Sequence, residues 1–228
     1  MNNLELVQML ARESGTVSGS APVSLDGLSG RLEKMRTWVR SAWVNIQELE
    51  SDWRWMRRDF ASELSPNAGA YTGSSFSIQR LGIWKRGNDS LTLWDPDIGI
   101  ADEGPIRYIP WDEFKRQYRR GETISTRPVA YSIAPDNRVN FGPIPDKSYG
   151  VKGEYILSPQ QLEGNSMIPE FPSRYHELIV WYALVHLAGH DEAPMQVQHA
   201  TMREAQLMDA LYRNELAVDR IHWPEALA

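Results

Sequence analysis

Leu178-Ile-Val-Trp-Tyr-Ala-Leu-Val-His-Leu-Ala188 holds one imidazole, His186, among otherwise aliphatic and aromatic side chains. As a helix it has no polar face, and such a helix has to be covered on every side. One partner helix hides only one stripe, and Trp181 and Tyr182 point to different azimuths. The run is also too short for a bilayer, which takes about 20 apolar residues. It therefore predicts a buried shaft in a helical core. The long second helix and the last helix supply part of its cover, and the strand region or a second copy of the chain supplies the rest. Nine Trp in one chain add to that pressure, since each aromatic buries roughly 150–250 Å² when covered. Self-association is the favoured reading, and a well-filled monomer core is the alternative.

Outward from that run, Pro and Gly partition the chain. Neither occurs between Arg31 and Ser65 or between Met195 and Trp223, whereas 11 of the 14 Pro and 11 of the 16 Gly lie from Pro66 to Pro172. Helix, then turn-rich strands, then helix is the implied order. Leu4, Val7, Leu10 and Ala11 mark a short amphipathic helix over Leu4–Arg12, followed by a small-residue loop from Gly15 to Gly30. Leu32, Met35, Val39, Ala42, Trp43, Ile46, Leu49 and Trp53 form one stripe of a second helix. At about 25 residues it is a rod of about 38 Å.

In the middle, Phe60–Leu64, Gly82–Lys85 and Ser90–Trp94 read as strands, the last two joined as a hairpin around Gly87-Asn88-Asp89. A short helix opens at Pro110 and runs to Arg120, and strands resume at Val129–Ile133, Val139–Phe141 and Tyr149–Leu157. Helices follow at Arg174–Gly189 and at about Met195–Val218. The predicted class is α+β: a helical bundle with an inserted small antiparallel β-sheet or open barrel. The predicted division is 1–65, the N-terminal helical part of the core; 66–172, an inserted β-rich domain with one short helix; 173–218, the helical pair completing the core; and 219–228, a C-terminal tail.

The balance of 24 Lys and Arg against 30 Asp and Glu, net −6, argues against disorder and against a strongly basic nucleic-acid binder. Absence of cysteine removes disulfides, thiolate metal sites and a thiol nucleophile. The start, MNNLELVQMLARES, lacks the basic-then-apolar order of a signal peptide.

His186 and His190 have the i, i+4 spacing by which two imidazoles share a metal, but Leu187 stands where a metalloprotease needs Glu. They are read as polar edges of a helix end. Asp95, Asp97, Asp102 and Glu103 are similar to a calcium loop, yet Pro96 and Gly99 break the required register, leaving an acidic turn. Trp53-Arg-Trp-Met-Arg-Arg58 and Lys115-Arg-Gln-Tyr-Arg-Arg120 mix cations with aromatics, a combination that grips single-stranded nucleic acid. Neighbouring acids and snorkelling over buried rings explain them equally well. No phosphate loop or nucleophile elbow is present, so no catalytic, cofactor or metal residue is assigned.

Leu4-Glu-Leu-Val-Gln8 with Arg12-Glu-Ser-Gly15 and the Gly/Ser loop come first. Trp38-Val39, Ala42-Trp43, Ile46-Gln47 and Asp52-Trp-Arg-Trp-Met56 follow, and Pro172 with Tyr175-His-Glu-Leu-Ile179 closes the series. This order resembles the head-to-tail adaptor (connector, head-completion) proteins of tailed bacteriophages. The likeness spans most of the chain and is clearest in its first part and in the 172–190 helix; the middle matches by position and character. It implies a non-enzymatic virion protein of the neck, assembled in the host cytoplasm, without cofactor or membrane. It further implies a ring, usually of twelve copies, docked beneath the portal protein after DNA packaging. That ring would extend the DNA channel, help retain the genome and give a tail or nozzle protein its platform. DNA would pass through the lumen without sequence-specific contact, which the mild negative charge favours. Trp38, Trp43, Trp181 and Tyr182 would form core or lateral contacts. Arg220, Ile221, Trp223 and Leu227 would dock the portal. The alternatives are a non-specific nucleic-acid-binding module and, behind it, a metal-dependent enzyme at His186 and His190.

Overall fold

The computed structural model describes residues 1–16, 21–121, 125–191 and 193–216. In chain order the helices are α1 (Asn3–Glu13), α2 (Gly30–Glu48), α3 (Trp111–Tyr118), α4 (His176–His190) and α5 (Pro194–Glu215). The strands are β1 (Arg57–Leu64), β2 (Ala70–Tyr71), β3 (Leu81–Trp84), β4 (Leu91–Trp94), β5 (Gly104–Pro105), β6 (Arg107–Tyr108), β7 (Ala130–Ile133), β8 (Val139–Gly142) and β9 (Tyr149–Leu157). The α+β class is the one the sequence predicts. The chain divides into two units, Met1–Met56 with the part from Pro159 onward, and Arg57–Ser158 between them in sequence.

In the helical unit, α1 starts on a capping box. The Asn2 side chain accepts from the Glu5 N–H at 2.9 Å while the Glu5 carboxylate accepts from the Asn2 N–H at 2.9 Å. The 159–172 segment is bonded to both early helices. Asn3 donates to the Met167 carbonyl at 2.8 Å. Gln47 and Gln160 exchange bonds of 3.1 and 2.7 Å, and the Trp43 indole N–H donates to the Gln160 side chain at 3.0 Å.

The chain itself covers most of α4. Leu178, Ile179, Val180, Ala183, Leu187 and Ala188 are fully buried, with Trp181 and Leu184 nearly so, and the cover comes from the chain's own α1, α2 and α5. One stripe, Tyr182, Val185, His186 and Gly189, stays half-buried or exposed. Three helices at different azimuths hide more of α4 than a helical pair would, and each buried large side chain stabilises by roughly 1.5–3 kcal/mol. The first helix, a short amphipathic element in the sequence, is the third partner packed on α4.

The second helix is shorter than its stripe suggests, 19 residues. After Leu49 the chain folds back, and the Trp53 indole N–H donates to the Ile46 carbonyl at 3.2 Å, satisfying a terminal acceptor of α2. Trp53 then stacks between Trp55 and Tyr212, with centroids at 4.4 and 5.4 Å. α5 stops at Glu215, where Leu216 turns extended and bridges to Trp53.

The β-rich unit is two sheets around one apolar core, with no closed barrel. One runs β1-β9-β4-β5 with β3 also on β9; the other runs β2-β8-β7-β6. A parallel pair, β6 with β7 (Arg107↔Ala130, Tyr108↔Tyr131), interrupts the expected antiparallel plan. The long β9 organises the first sheet, pairing with all of β1 from Arg57↔Ile156 to Leu64↔Tyr149.

The expected hairpin is absent. β3 and β4 both run antiparallel to β9, at Trp84↔Tyr155 and Leu91↔Gly153. They form one interrupted strand, because Lys85 donates to the Glu154 carbonyl and the Glu154 N–H donates to Ser90. The intervening residues bulge outward, held where the Tyr131 hydroxyl donates to the Gly87 carbonyl at 2.8 Å. Burial pushes that hydroxyl's pKa up, so it stays a donor.

Candidate functional site

The connection from β4 to β5 carries the acidic turn, and partners distant in sequence neutralise it. Lys147 Nζ lies 2.7 Å from both Asp95 and Asp97; Arg127 lies 2.7 Å from Asp102; Lys152 lies 2.9 Å from Glu103, which also accepts from Thr92 Oγ1 at 2.6 Å. The Lys147 ammonium bond holds the Asp95 carboxyl below its usual range, and the Arg127 guanidinium does the same for Asp102. Hydrogen bonds from Thr92 and then Lys152 lower Glu103, and Lys147 is held above the usual lysine range by the two aspartates. Nearby, burial first and the Tyr149–Asp146 bond second push the Tyr149 phenol up to about 12. The carboxylates a calcium ion would need are thus committed to protein cations. Among the described residues no three His, Asp or Glu side chains gather to hold a metal.

The same loop exposes Ile98 by 64% and Ile100 by 66%. Sequence reading marked its acids and passed over these two residues. An Ile-Gly-Ile inside an acidic turn was the available signal, since such a turn has no core of its own for them to enter.

The two basic–aromatic clusters have different outcomes. Trp53 and Trp55 are buried, so their faces are closed to stacking bases. On α3, Phe114 is buried and Trp111 and Tyr118 are half-buried. Gly142 makes this docking possible, since a Cβ there would sit 2.6 Å from the Tyr118 ring. Lys115 pairs with Asp112 at 2.7 Å, while Arg119 donates to the buried Asn140 at 2.7 Å and covers Trp111 at 5.1 Å. Arg116 and Arg120 are exposed and have no ion-pair partner among the described residues. Beside α3 lies a cleft of about 450 Å³ with Phe114, Tyr118, Phe141, Pro143 and Ile144 on its apolar wall and Arg119 and Arg120 at its rim.

In the helical unit, Trp43 is fully buried and packs on Phe171 at 4.7 Å. Trp181 is covered by His199 at 5.4 Å with the Arg203 guanidinium 6.0 Å above its ring. Trp38 and Tyr182 are half-buried. His186 and His190 are exposed and engaged separately, His186 beside Tyr182 at 5.4 Å and His190 against Trp38 at 5.6 Å. Asp191 binds His190 at 3.2 Å and takes a two-pronged bond from Arg31 at the start of α2. These bonds, Arg31 foremost, lower the Asp191 carboxyl to about 2. Arg220, Ile221, Trp223 and Leu227 lie outside the described residues.

What this arrangement offers is surface rather than a reaction centre: a braced apolar loop tip, a basic-rimmed cleft and a helical core with one half-open face at Trp38, Tyr182 and Val185. The model of one family, SU10 adaptor protein, matches residues 1–224. No curated protein matches the chain. No helix among the described residues is long and apolar enough to cross a membrane. The match runs through both units, the β-rich middle included, and the chain belongs to the SU10 adaptor protein family.

Proposed function

We propose that this phage adaptor protein is a structural subunit of the virion neck. Copies form a closed ring of about twelve beneath the portal, as heterologous contacts around one axis do. The ring extends the DNA channel and presents the platform for a tail or nozzle protein. No catalytic role is assigned. The observation that carries this reading is the family match over nearly the whole chain. The net charge of −6 supports it, because an acidic lumen lets DNA slide rather than stick.

Portal docking is assigned to the tail from Asp219, through Arg220, Ile221, Trp223 and Leu227. Trp38 and Tyr182, half-buried on the helical unit, are assigned to lateral packing, with Trp43 and Trp181 in the core behind them. The test mixes the purified chain with portal rings and images the product by electron microscopy. A ring of adaptor density on the portal is expected. Deleting residues 219–228 should abolish that binding with helical circular dichroism unchanged. Binding that survives the deletion overturns the docking assignment, and portal rings left bare by the intact chain overturn the function.

A further inference from the structure

The sheet built on β9 ends differently on its two sides. On the far side the segment through β5 and β6 is bonded along both edges, since Ile106 donates to the Leu91 carbonyl at 3.0 Å and Arg107 to the Val129 carbonyl at 3.2 Å. On the near side β1 is the last strand, and among the described residues it pairs with β9 alone.

Which backbone groups of β1 are committed follows from the register. Glu154 of β9 turns both of its groups toward β3 and β4, accepting from Lys85 and donating to Ser90. Its neighbour Gly153, and Val151 beyond, therefore turn theirs toward β1, where they meet Phe60 and Ser62. The N–H and carbonyl groups of Asp59, Ala61 and Glu63 point the other way. Among the described residues no other backbone group bonds to them. The side chains of these three are exposed, while Phe60 and Leu64 enter the core from the opposite face.

Edge strands are blunted by charge, and here the charge has one sign. Asp59 and Glu63 have no ion-pair partner among the described residues. A cleft of about 390 Å³ opens on the same face, lined by Asp59, Ala61, Asp89, Thr92, Lys152 and Glu154. Its Lys152 is already held by Glu103 at 2.9 Å. A second copy of β1, laid antiparallel about Ala61, would set Asp59 against Glu63 at both ends, and like charges directly opposed are destabilising. An extended strand with cations at those two places meets the acids favourably and completes the same backbone bonds.

We propose that the open edge of β1 receives an extended basic segment of another protein as an added strand, with Lys or Arg beside Asp59 and Glu63 and a smaller side chain beside Ala61. This contact goes beyond the ring and portal contacts proposed above and does not rest on them.

The probe is a short capped peptide alternating lysine and valine, added to the purified full chain at low salt. Fluorescence anisotropy reads binding, and NMR reads amide exchange. Exchange at Asp59, Ala61 and Glu63 should slow by about tenfold, while Phe60 and Ser62, already bonded to β9, stay unchanged. A peptide alternating glutamate and valine should not bind. Ala61→Pro removes an outward N–H that β9 does not use and should weaken the lysine peptide by about tenfold. The double variant Asp59→Lys with Glu63→Lys leaves the β9 bonds in place and should take the glutamate peptide instead of the lysine one. Absence of binding by the lysine peptide overturns the proposal. So does equal binding of both peptides, or binding that leaves the three amides unprotected, which is attraction to surface charge alone. Protection of those amides that rises with protein concentration, with no peptide present, makes a second copy the occupant and also overturns it. Ring assembly on the portal is scored separately, so each of these outcomes leaves the proposed function standing.

Discussion

The α4 helix and the loop between β4 and β5 stand at opposite ends of the hydropathy scale, and each does the reverse of what its composition suggests about partners. α4 is apolar nearly all round, yet α1, α2 and α5 cover all of it but the stripe of Tyr182, Val185, His186 and Gly189. The loop is acidic, yet it carries two of the most exposed isoleucines in the molecule. Charge divides the same way. The β-rich unit holds more than half of the basic residues but fewer than half of the acids, leaving the helical unit with the negative charge. An apolar run says that it will be covered and nothing about by whom. Apolar side chains held outward by committed bonds identify an unfinished surface.

The comparison breaks first if the two isoleucines contribute to folding as α4 does. Leu184→Ala removes a side chain 2% exposed and should cost about 2–5 kcal/mol in urea denaturation. Ile98→Ala should leave stability within about 0.5 kcal/mol of the parent. A comparable loss from both would place the loop tip in a core and remove its availability for docking.

Next in size is Gly150→Ala. A Cβ at Gly150 would lie 2.0 Å from the Trp94 indole, which the Lys152 ammonium covers at 4.9 Å. The ring would be displaced from β9, at about 1–3 kcal/mol, with a blue-edge change in near-UV circular dichroism. Retained near-UV signal and stability would show that the β9 strand tolerates a side chain there.

How much of this was legible in the sequence follows the range of each interaction. The stripe of α1, the apolar run of α4 and the alternation of β9 are local patterns, and these elements stand where the sequence put them, whereas α2 stops short of its stripe. Trp53 continues the α2 stripe in sequence but folds back on Ile46, a contact no periodicity encodes. Gly87-Asn88-Asp89 has hairpin composition, yet whether two short strands pair with each other or share one edge of β9 depends on a partner some 60 residues on. β2, β5 and β6 are two residues each, too short to leave a pattern. The acidic turn was visible, but Arg127, Lys147 and Lys152 reach it from later strands and loops, so its rigidity was not.

A third test contrasts how the units respond to acid. His176 is buried between Phe171 and the start of α4, with Nε2 3.1 Å from the Phe171 carbonyl, and burial holds its pKa below the usual 6.5. The unfolded chain therefore binds the proton first, and stability falls as pH drops below about 6.5. The carboxylates of the loop have lowered values, so their contribution persists until pH falls below about 4. Urea midpoints between pH 8 and 5 should decline in the parent and flatten in His176→Gln. An equal slope in both would assign the acid sensitivity elsewhere.

The smallest expected effect is the most local. Lys147→Met removes the cation that joins Asp95 to Asp97, at a site open to solvent where an ion pair adds little to global stability. The denaturation midpoint should stay where it is. The loop loses its clamp, however, and two carboxylates are left facing each other without a counter-charge. Amide exchange at Ile98 and Gly99 should then accelerate by about tenfold, because these N–H groups are protected by the turn that Asp95 anchors. If exchange stays slow in the variant, the backbone bonds alone hold the tip, and its preorganisation owes nothing to the acidic residues that made the loop conspicuous.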